Sequence, residues 1–569
     1  MVISELVRTL LSKRGVESEH DIAAFLNPDY ELHTHDPFLL AGMDVAVARL
    51  LSAIEKGERI AVYADFDCDG IPGAALLHDF FKKIEYENFE VYLPHRDMEG
   101  YGFHTDAIAK LAERGVKLII TIDVGTNAIE AVRFAKEKGV DVIITDHHLP
   151  TPRLRQAGEV TEEYVLPDAV AVLNPKLGEY PFPHLCGAGV AFKFVQAALA
   201  EGKRRALPSF EKIPNGWEKW LLDMVAIATV ADMVQLIGEN RALVHWGLQV
   251  LRKSPRPGIR ALCSKLRLRQ NELTENDIGF SIAPRINAAS RMDEPQLALQ
   301  LLTTQDTIEA ETLAAQLEKL NASRKGVVAG LVREARKHVH TRYSASDRIV
   351  VLGNPEWKPA LLGLAANSIM GERGGVVCLW GRDSSGKLKG SCRSDGDVSI
   401  TELFSNARDV LVESGGHAAS GGFTVSHENV HRLPEALSHA ALSLVTGDAA
   451  DNAIIHDCLL TLPEVSSPLF AEVSKLAPFG LGNPKPVFLL SGTIVTGVKR
   501  FGKEQNHVEL MLECRKSGTT CRAFDFFRSP DGFSHVPQQG SEARVLATLE
   551  RDTFRGGFAL RIVDVIAPL

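Results

Sequence analysis

Three aspartates occupy alternate positions in the stretch YADFDCDG, where they are Asp65, Asp67 and Asp69. Carboxylates held this close repel one another when ionised, so the group is unfavourable unless a cation neutralises it. A single aspartate after a strand is most often a turn former or a helix N-cap. Whether these three hold a metal therefore depends on which other residues share their place in the fold.

Strand-like and helix-like patterns alternate through roughly the first 235 residues of the chain. The strand-like runs are RIAVYAD, FEVYLP, KLIITID, VDVIITD and AVAVLNP, and helical stretches such as IPGAALLHDFFKKI separate them. This alternation predicts an α/β fold built on a doubly wound parallel sheet. Open sheets of this kind bind ligands beyond the carboxyl ends of their strands.

Acids and imidazoles recur where these strands should end. Asp123 ends KLIITID, Asp146, His147 and His148 end VDVIITDHH, and Asp232 follows a long apolar helical segment. We expect these groups to converge on one edge of the sheet with the aspartate cluster. Aspartate with imidazole suits Mn²⁺ or Mg²⁺ better than a thiolate-bound metal. Two such ions about 3.5–4 Å apart would activate a water and stabilise charge at phosphorus.

The order and spacing of these segments resemble the DHH phosphoesterase superfamily. The matching segments are DFDCDG, TIDVG, TDHH and VADMV, with Asp146, His147 and His148 as the triplet that names the superfamily. Four more segments are similar to motifs of its bacterial single-stranded-DNA exonucleases: PRINAASRMDEP, GSCRS, GGHAASGGF and APFGLGNPKPVF. The resemblance spans nearly the entire chain.

This resemblance implies roles for individual residues and two bound ions, Mn²⁺ or Mg²⁺. The implied catalytic residues are Asp67, Asp69, Asp123, His147, His148 and Asp232. All of these except His148 would be metal ligands, with Asp123 as a bridge, Asp65 as a further candidate and Asp146 orienting an imidazole. The implied contacts to substrate phosphate are Arg96, His148, Arg285, Arg291, Ser391, Arg393 and His417.

The chain departs from the family pattern at two positions. Lys358, in EWKPALLGLAA, stands where the family commonly has histidine, and Pro72 stands where threonine is usual. Neither position belongs to the metal set, which is complete. Catalytic activity is therefore expected.

The remainder of the chain shows three further patterns. Residues 306–340 combine charged and apolar residues in the way that is typical of a long amphipathic helix. An α/β pattern restarts near residue 347, and strand-like patterns dominate from about residue 453. We predict a helical segment at 1–50, a DHH domain at 51–236, a helical region with a connecting helix at 237–345, a smaller DHH-associated α/β domain at 346–450 and an OB-like barrel at 453–569.

Two segments in these later domains are candidates for contact with nucleic acid. The glycine-rich SGGHAASGGF predicts a loop whose free amides contact an anion. The barrel segment combines cations with aromatics, the mixture by which such folds bind single strands, in Lys499, Arg500, Phe501, Lys503, Phe524, Phe526 and Phe527.

The composition narrows the class of protein. A net charge of −9 argues against a chain coated in basic surface, so nucleic acid must bind at a local patch. No apolar run approaches the roughly 20 residues that span a bilayer, and the first residues lack a secretory signal, so we predict a cytoplasmic protein without a membrane partner. The eight scattered cysteines show no metal-binding spacing and are predicted to be reduced.

The resemblance implies a 5′→3′ exonuclease that hydrolyses single-stranded DNA to 5′-mononucleotides in repair and recombination. Its expected partners are single-stranded DNA, a single-strand-binding protein and a helicase, and a monomer is expected. Two alternatives stay open. The same metal chemistry could act on cyclic dinucleotides, short oligoribonucleotides or pyrophosphate, although the long chain and its barrel weigh against this. The second alternative is a non-catalytic DNA-binding relative, and the complete set of metal ligands weighs against it.

Overall fold

The structure is a computed structural model that describes residues 3–154, 160–344, 346–444, 456–502, 505–552 and 555–568. The chain divides into two compact units. One unit comprises residues 36–232 and 247–448, and the other comprises residues 1–35, 233–246 and 449–569. The predicted boundaries at 450 and 453, and the predicted nucleic-acid residue Lys503, lie outside the described residues.

The chain begins with helices and then enters a parallel sheet. In order, the elements are α1 (Glu5–Ser12), α2 (Glu19–Leu26), α3 (Tyr30–His33), α4 (Met43–Glu55), β1 (Arg59–Ala64), α5 (Gly70–Lys83), β2 (Phe89–Tyr92), α6 (Thr105–Glu113), β3 (Val116–Ile122), α7 (Ile129–Glu137), β4 (Asp141–Thr145), β5 (Pro152–Leu154), β6 (Val160–Tyr164) and β7 (Ala171–Leu173). A 3₁₀ turn at Pro37–Leu39 precedes α4.

Five of these strands form the predicted sheet, in the order β2-β1-β3-β4-β7 with every pairing parallel. Strands β1, β3 and β4 are apolar and buried almost throughout, as strands covered by helices on both faces must be. The doubly wound α/β prediction is confirmed. Strands β5 and β6 form a separate two-stranded ribbon.

A helical region follows the sheet. It comprises α8 (Gly187–Arg204), α9 (Pro208–Glu211), α10 (Leu222–Ala231), α11 (Gly238–Lys253), α12 (Pro257–Leu266), α13 (Glu275–Asp277), α14 (Ala283–Arg291), α15 (Pro295–Thr303) and α16 (Thr307–Arg342), with 3₁₀ turns at Trp217–Leu221 and Gln270–Glu272 and a π-helical turn at Ile278–Ile282. Helix α16 runs for 36 residues and is preceded by the N-cap residue Asp306, whose side chain accepts hydrogen bonds from the amides of Ile308 and Glu309. The predicted long connecting helix is confirmed.

A second sheet follows α16. Its elements are β8 (Ile349–Gly353), α17 (Pro359–Arg373), β9 (Val376–Arg382), β10 (Leu388–Ser394), α18 (Ile400–Asn406), β11 (Leu411–His417), β12 (Ser420–Val425) and α19 (Leu433–Leu442), with strand order β11-β12-β10-β9-β8.

The predicted glycine-rich loop is instead a hairpin of strands β11 and β12. Gly415 and Gly416 pair with Gly422 and Gly421 across the ladder. A Cβ atom on Gly421 would lie 2.7 Å from the side chains on α18 that cover this hairpin. Glycine at position 421 is therefore needed for the close approach of α18 to the hairpin, and sequence alone does not separate that need from a loop.

The prediction that all eight cysteines are reduced is wrong for one pair. Cys378 on β9 and Cys392 on β10 face each other in the antiparallel ladder, with Cα atoms 4.1 Å apart and a disulfide between them. The pairing arises from strand register, which cysteine spacing does not reveal. The other six cysteines are free thiols.

The second unit contains a closed barrel. Its elements are β13 (Cys458–Leu460), α20 (Ser467–Ser474), β14 (Phe488–Phe501), β15 (His507–Cys514), β16 (Thr520–Asp525), β17 (Glu542–Arg551) and β18 (Phe558–Ile566), with 3₁₀ turns at Leu462–Glu464 and Pro530–Gly532. The order β14-β15-β16-β18-β17 closes because β17 also pairs with β14. The OB-like barrel is confirmed, and α1 and α2 pack into its apolar core through Val7, Leu10, Leu11, Ile22 and Leu26.

Among the described residues, no single helix has the length and apolarity to cross a membrane. One pair, Tyr30–Leu39 with Met43–Glu55, passes the same test by length and composition, with a 78° bend between its members.

Candidate active site

The acids that follow β1, β3 and β4 lie at one edge of the parallel sheet. The amide of Asp65 donates to the carbonyl of Ile122 at 3.1 Å, and that of Asp123 donates to Thr145 at 2.9 Å. The amide of Asp146 donates in the same way to Leu173 on β7, at 3.0 Å. Each acid thus extends the ladder one step past its strand. The three strand ends are therefore in register, and the predicted convergence is confirmed.

Asp232 joins this edge from a helix. It follows α10 directly as the C-cap residue. His147 lies between the carboxylates: its Nε2 atom is 3.2 Å from Asp123 Oδ1, 3.6 Å from Asp232 Oδ2 and 3.7 Å from Asp69 Oδ2. Three groups have ligand atoms within 4.8 Å of one another: Asp65 with Asp67 and Asp123, Asp69 with His147 and Asp232, and Asp123 with His147 and His148.

The electrostatics of this cluster call for a cation. The buried Oδ1 atoms of Asp65 and Asp123 have no hydrogen-bond partner among the described residues. Burial, and then the charge of neighbouring aspartates, raises the pKa of both carboxyls well above the usual range. The same causes raise the pKa of Asp69 to about 6 and that of Asp232 to about 9. Oxygen and imidazole donors in this arrangement fit Mn²⁺ or Mg²⁺.

The two histidines of the triplet differ in charge. Burial, followed by the charge of His148, lowers the pKa of His147 to about 3, so its ring is neutral, as a metal ligand must be. Burial also opposes charge on His148, but the Asp146 carboxylate, 2.8 Å from its Nδ1 atom, raises its pKa to about 9. Asp146 also accepts from the Thr126 amide at 2.9 Å. Asp146 therefore orients His148.

The start of α8 fixes Asp69. The amides of Gly187 and Ala188 donate to its two carboxylate oxygens at 2.6 and 2.8 Å. A side chain at Gly187 would place Cβ 2.6 Å from Cβ of Asp123, so glycine is required there. Asp67 also bonds locally: its Oδ1 atom accepts from the amides of Asp69 and Gly70 at the start of α5.

An arginine group flanks the acids. The guanidinium of Arg96 lies 4.7 Å from the ring centroid of Phe66, and no ion pair joins it to another described residue. Arg291 donates to the carbonyl of Ala360 at 2.6 Å. Burial, and then the charge of Arg96, lowers the pKa of Arg291 to about 9. Arg393 donates to Ser391 Oγ at 2.9 Å. Guanidinium groups that lack carboxylate partners are chemically suited to binding an anion.

Two of the predicted phosphate contacts stand differently. Arg285 is paired with Glu318 at 2.8 Å and also donates to the Ser281 carbonyl, so its guanidinium is already occupied. His417, at the end of β11, is near enough for its charge to act on His147.

The structure also shows the surroundings of the two residues that depart from the family pattern. Lys358 forms an ion pair with Asp293, and Pro72 occupies the first turn of α5, where proline is tolerated.

Several residues of the site were missed in the sequence. Tyr101 Oη lies 3.2 Å from His148 Nδ1, and the Lys176 ammonium donates to the His147 carbonyl. Asn287 accepts from the Cys68 amide at 3.0 Å. Lys176 follows β7, but this strand has only three residues, so the signal in the sequence is weak. Tyr101 lies in the same loop as Arg96, which the sequence did indicate. Arg324, whose charge contributes to the lowered pKa of Arg291, lies within α16, and no pattern in the sequence marks it as part of the site.

Comparison with known proteins gives the family. Residues 59–229 match the family described as DHH family, N-terminal domain; residues 346–443 match the DHHA1 domain and residues 456–563 the RecJ OB domain. The single-stranded-DNA-specific exonuclease RecJ of Bacillus subtilis is 33% identical over 526 residues, which cover 92% of this chain and 63% of that protein. The chain thus spans less than two thirds of that relative's length.

RecJ of Salmonella typhimurium is 30% identical over 578 residues, which cover 99% of this chain and 96% of that protein. The crystal structure of RecJ from Thermus thermophilus in complex with Mn²⁺ superposes with a TM-score of 0.79 at 26% identity, covering 100% of this chain and 76% of that one. The Mg²⁺ complex of that protein gives 0.73 at 26% identity, covering 100% and 75%. The chain belongs to the RecJ family of single-stranded-DNA-specific exonucleases.

Proposed function

We propose that this chain hydrolyses single-stranded DNA from its 5′ end and releases 5′-mononucleotides, in DNA repair and recombination. The observation that carries the proposal is a carboxylate and imidazole cluster suited to divalent metals directly beside arginines that have no carboxylate partner. The carboxylates of Asp65 and Asp67 are near enough to Arg96 for their charge to oppose the lowering of its pKa by burial. One side of this site suits cations and the other suits phosphate.

Two groups of residues would hold the ions. Asp65, Asp67 and Asp123 make one, and Asp69, His147 and Asp232 make the other. Asp123 adjoins both groups, since its Oδ1 atom also approaches His147 at 3.2 Å. Mn²⁺ or Mg²⁺ bound there would supply an activated water and stabilise charge at phosphorus.

His148 has the charge to act on the phosphate. Its raised pKa of about 9 keeps the ring protonated at neutral pH, and Asp146 holds Nδ1. The Nε2–H is then a charge-assisted donor beside the carboxylate cluster. A donor of this kind stabilises negative charge on a phosphate oxygen as it develops during hydrolysis.

The arginine group supports recognition of a strand end. After burial, the positive charges of Arg96 and Arg393 contribute to the lowered pKa of Arg291, so the three guanidinium groups are neighbours. Guanidinium groups bind phosphate in bidentate fashion, and a terminal phosphate offers more free oxygens than an internal one. A 5′-phosphate held there would place the next phosphodiester at the metals. Successive cuts would release 5′-mononucleotides.

The barrel carries a surface that supports single-strand binding. Phe526 is 41% exposed and Phe527 is 82% exposed, and the ring of His507 lies 4.8 Å from that of Phe527. The Arg561 guanidinium lies 4.6 Å from the Phe526 centroid. Exposed rings with cations among them stack successive bases without reading sequence.

The rest of the proposal concerns organisation and cellular setting. We propose the domain limits 1–50, 51–236, 237–345, 346–450 and 453–569. A site specific for single strands needs partners that produce and hold them, so a helicase and a single-strand-binding protein are proposed to deliver the substrate. The enzyme is proposed to act as a cytoplasmic monomer.

One assay tests the function. The protein with Mn²⁺ is offered 5′-labelled single-stranded DNA, the matching duplex, a cyclic dinucleotide and pyrophosphate. Rapid hydrolysis of the single strand alone is expected. Preferred hydrolysis of the cyclic dinucleotide or pyrophosphate, or no hydrolysis at all, would overturn the proposal.

A further inference from the structure

We infer that Lys176 binds the phosphate one step 3′ of the scissile phosphate and so holds the strand in register beyond the cut. The inference rests on the proposed function, because it takes the metal cluster as the place of cleavage and the arginine group as the place of the 5′ end.

The position of Lys176 is built by the end of β7. Asn174, fully buried, donates through its side-chain amide to the carbonyl of His148 at 2.8 Å and to Thr126 Oγ1 at 3.0 Å. Its Oδ1 atom accepts from the Lys176 amide at 3.0 Å. This turn carries the chain past the histidine pair, where the Lys176 ammonium reaches the carbonyl of His147.

Lys176 and the arginines face different parts of the acidic cluster. The carboxylates whose charges act on Arg96 are Asp65 and Asp67. Those whose charges act on Lys176 are Asp146 and Asp232. Arg96 therefore lies near Asp65 and Asp67 of one candidate metal group, and Lys176 lies near Asp232 of the other.

Arginines, metal cluster and lysine could each take one of three successive phosphates of a DNA strand. A 5′-phosphate at Arg96 and Arg291 would be followed by the scissile phosphate at the cluster and then by a third phosphate at Lys176. The lysine is partly exposed, and among the described residues it forms no ion pair with a carboxylate. Its ammonium therefore retains hydrogen-bonding capacity for an anion.

A purely structural role explains this lysine less well. A positive charge beside Asp232 and His147 opposes the binding of a divalent ion there, since like charges repel. An ammonium whose task was only to support the metal ligands would weaken the site that it supports. A substrate phosphate at Lys176 offsets that repulsion when the strand is bound.

The test compares Lys176→Gln with the unaltered enzyme on two 5′-phosphorylated substrates in Mn²⁺. A dinucleotide has a 5′-phosphate and one internal phosphate, whereas a trinucleotide adds the phosphate that Lys176 would bind. We expect kcat/KM for the first cut of the trinucleotide to fall about tenfold, the dinucleotide to change less than about twofold, and Lys176→Arg to restore most of the loss. Lys138→Gln, on an exposed surface near Phe134, is the matched control and should change neither.

A second experiment changes the substrate instead of the enzyme: a neutral methylphosphonate replaces the second phosphate linkage of the trinucleotide. It should slow the unaltered enzyme about tenfold and add little to the loss in Lys176→Gln, because both changes remove one contact. Equal losses on dinucleotide and trinucleotide, or losses that multiply, would overturn the role of Lys176. Failure of the unaltered enzyme to cut either substrate would instead overturn the proposed function.

Discussion

The Nε2 atom of His147 lies 3.2 Å from Oδ1 of Asp123, so the ends of β4 and β3 bring an imidazole and a carboxylate to one point. The same carboxylate belongs to the group formed with Asp65 and Asp67. Asp123 would therefore contribute to both candidate ion positions. Its loss should disturb both of them, whereas loss of a ligand at the edge should disturb one.

Asp123→Ala is expected to abolish hydrolysis, with kcat lower by at least about a thousandfold, and to leave single-strand affinity largely intact. The carboxylate would serve the metals, whereas the arginines and the barrel would hold DNA. Hydrolysis in Mn²⁺ and binding of a labelled strand in EDTA measure the two effects. Asp106→Ala, on the first turn of α6, is the control. Normal cleavage by Asp123→Ala would remove the proposed bridge.

Metal removal should destabilise the protein more at high pH than at low pH. The metal-free pKa values of Asp69, about 6, and Asp232, about 9, exceed the usual value of about 3.9. Protonation then favours the folded state, so this stability is present at low pH and is lost as the pH rises through both values.

Calorimetry with Mn²⁺ and with EDTA at pH 6 and pH 8 measures this effect. The increase in Tm caused by Mn²⁺ should be larger at pH 8 by several degrees, because the ionised cluster repels itself most strongly there and binds metal best. The same increase at both pH values would show that these carboxyls do not titrate with the metal site.

Arg96→Ala should impair recognition of the 5′ end. The expected loss in kcat/KM is about tenfold or more on 5′-phosphorylated strands and smaller on 5′-hydroxyl strands, since a charge-assisted bond of about 1.5–3 kcal/mol disappears only where the terminal phosphate is present. Arg133→Ala, at an exposed position of α7, should change neither. Equal losses on both strands would mean that Arg96 binds the DNA backbone generally.

Phe527→Ala tests the barrel without unfolding it. Truncation near residue 453 is expected to raise KM for long strands, but α1 and α2 pack into the barrel core and would lose their partner. Phe527 is 82% exposed, so its replacement leaves that core intact. We expect KM for long strands to rise about fivefold to tenfold, in line with about 1–3 kcal/mol per stacked base, while kcat and short substrates are little affected.

The control for the barrel is Val536→Ala, an exposed apolar position in the same unit. It should leave KM for long strands unchanged. An unaltered KM in a folded Phe527→Ala protein would contradict a role for this ring in binding.

The acids of the site could be predicted because their positions follow from simple patterns. Apolar runs that alternate with helices predict parallel strands, and parallel strands place their ends together, as Asp65, Asp123 and Asp146 show. The same logic applies to Lys176, but β7 has only three residues and its lysine stands alone in the sequence.

The remaining features depend on packing that a linear pattern does not contain. The charge of Arg324 acts on Arg291 of the arginine group, although Arg324 lies within a 36-residue helix. Its position in the helical sequence does not distinguish it from a surface arginine. The disulfide between Cys378 and Cys392 follows from the register of β9 and β10. Position 421 of β12 requires glycine because side chains on α18 leave no room for a Cβ atom.

The most direct test of the account is a time course with one single-stranded DNA carrying a different label at each end, in Mn²⁺. If the arginine group holds the 5′ end while the metal cluster cleaves, the 5′ label appears as a mononucleotide from the earliest time, while the 3′ label stays in long products that shorten gradually. EDTA should stop both. Early release of the 3′ label, or internal cuts that yield intermediate fragments from both ends, would contradict the account.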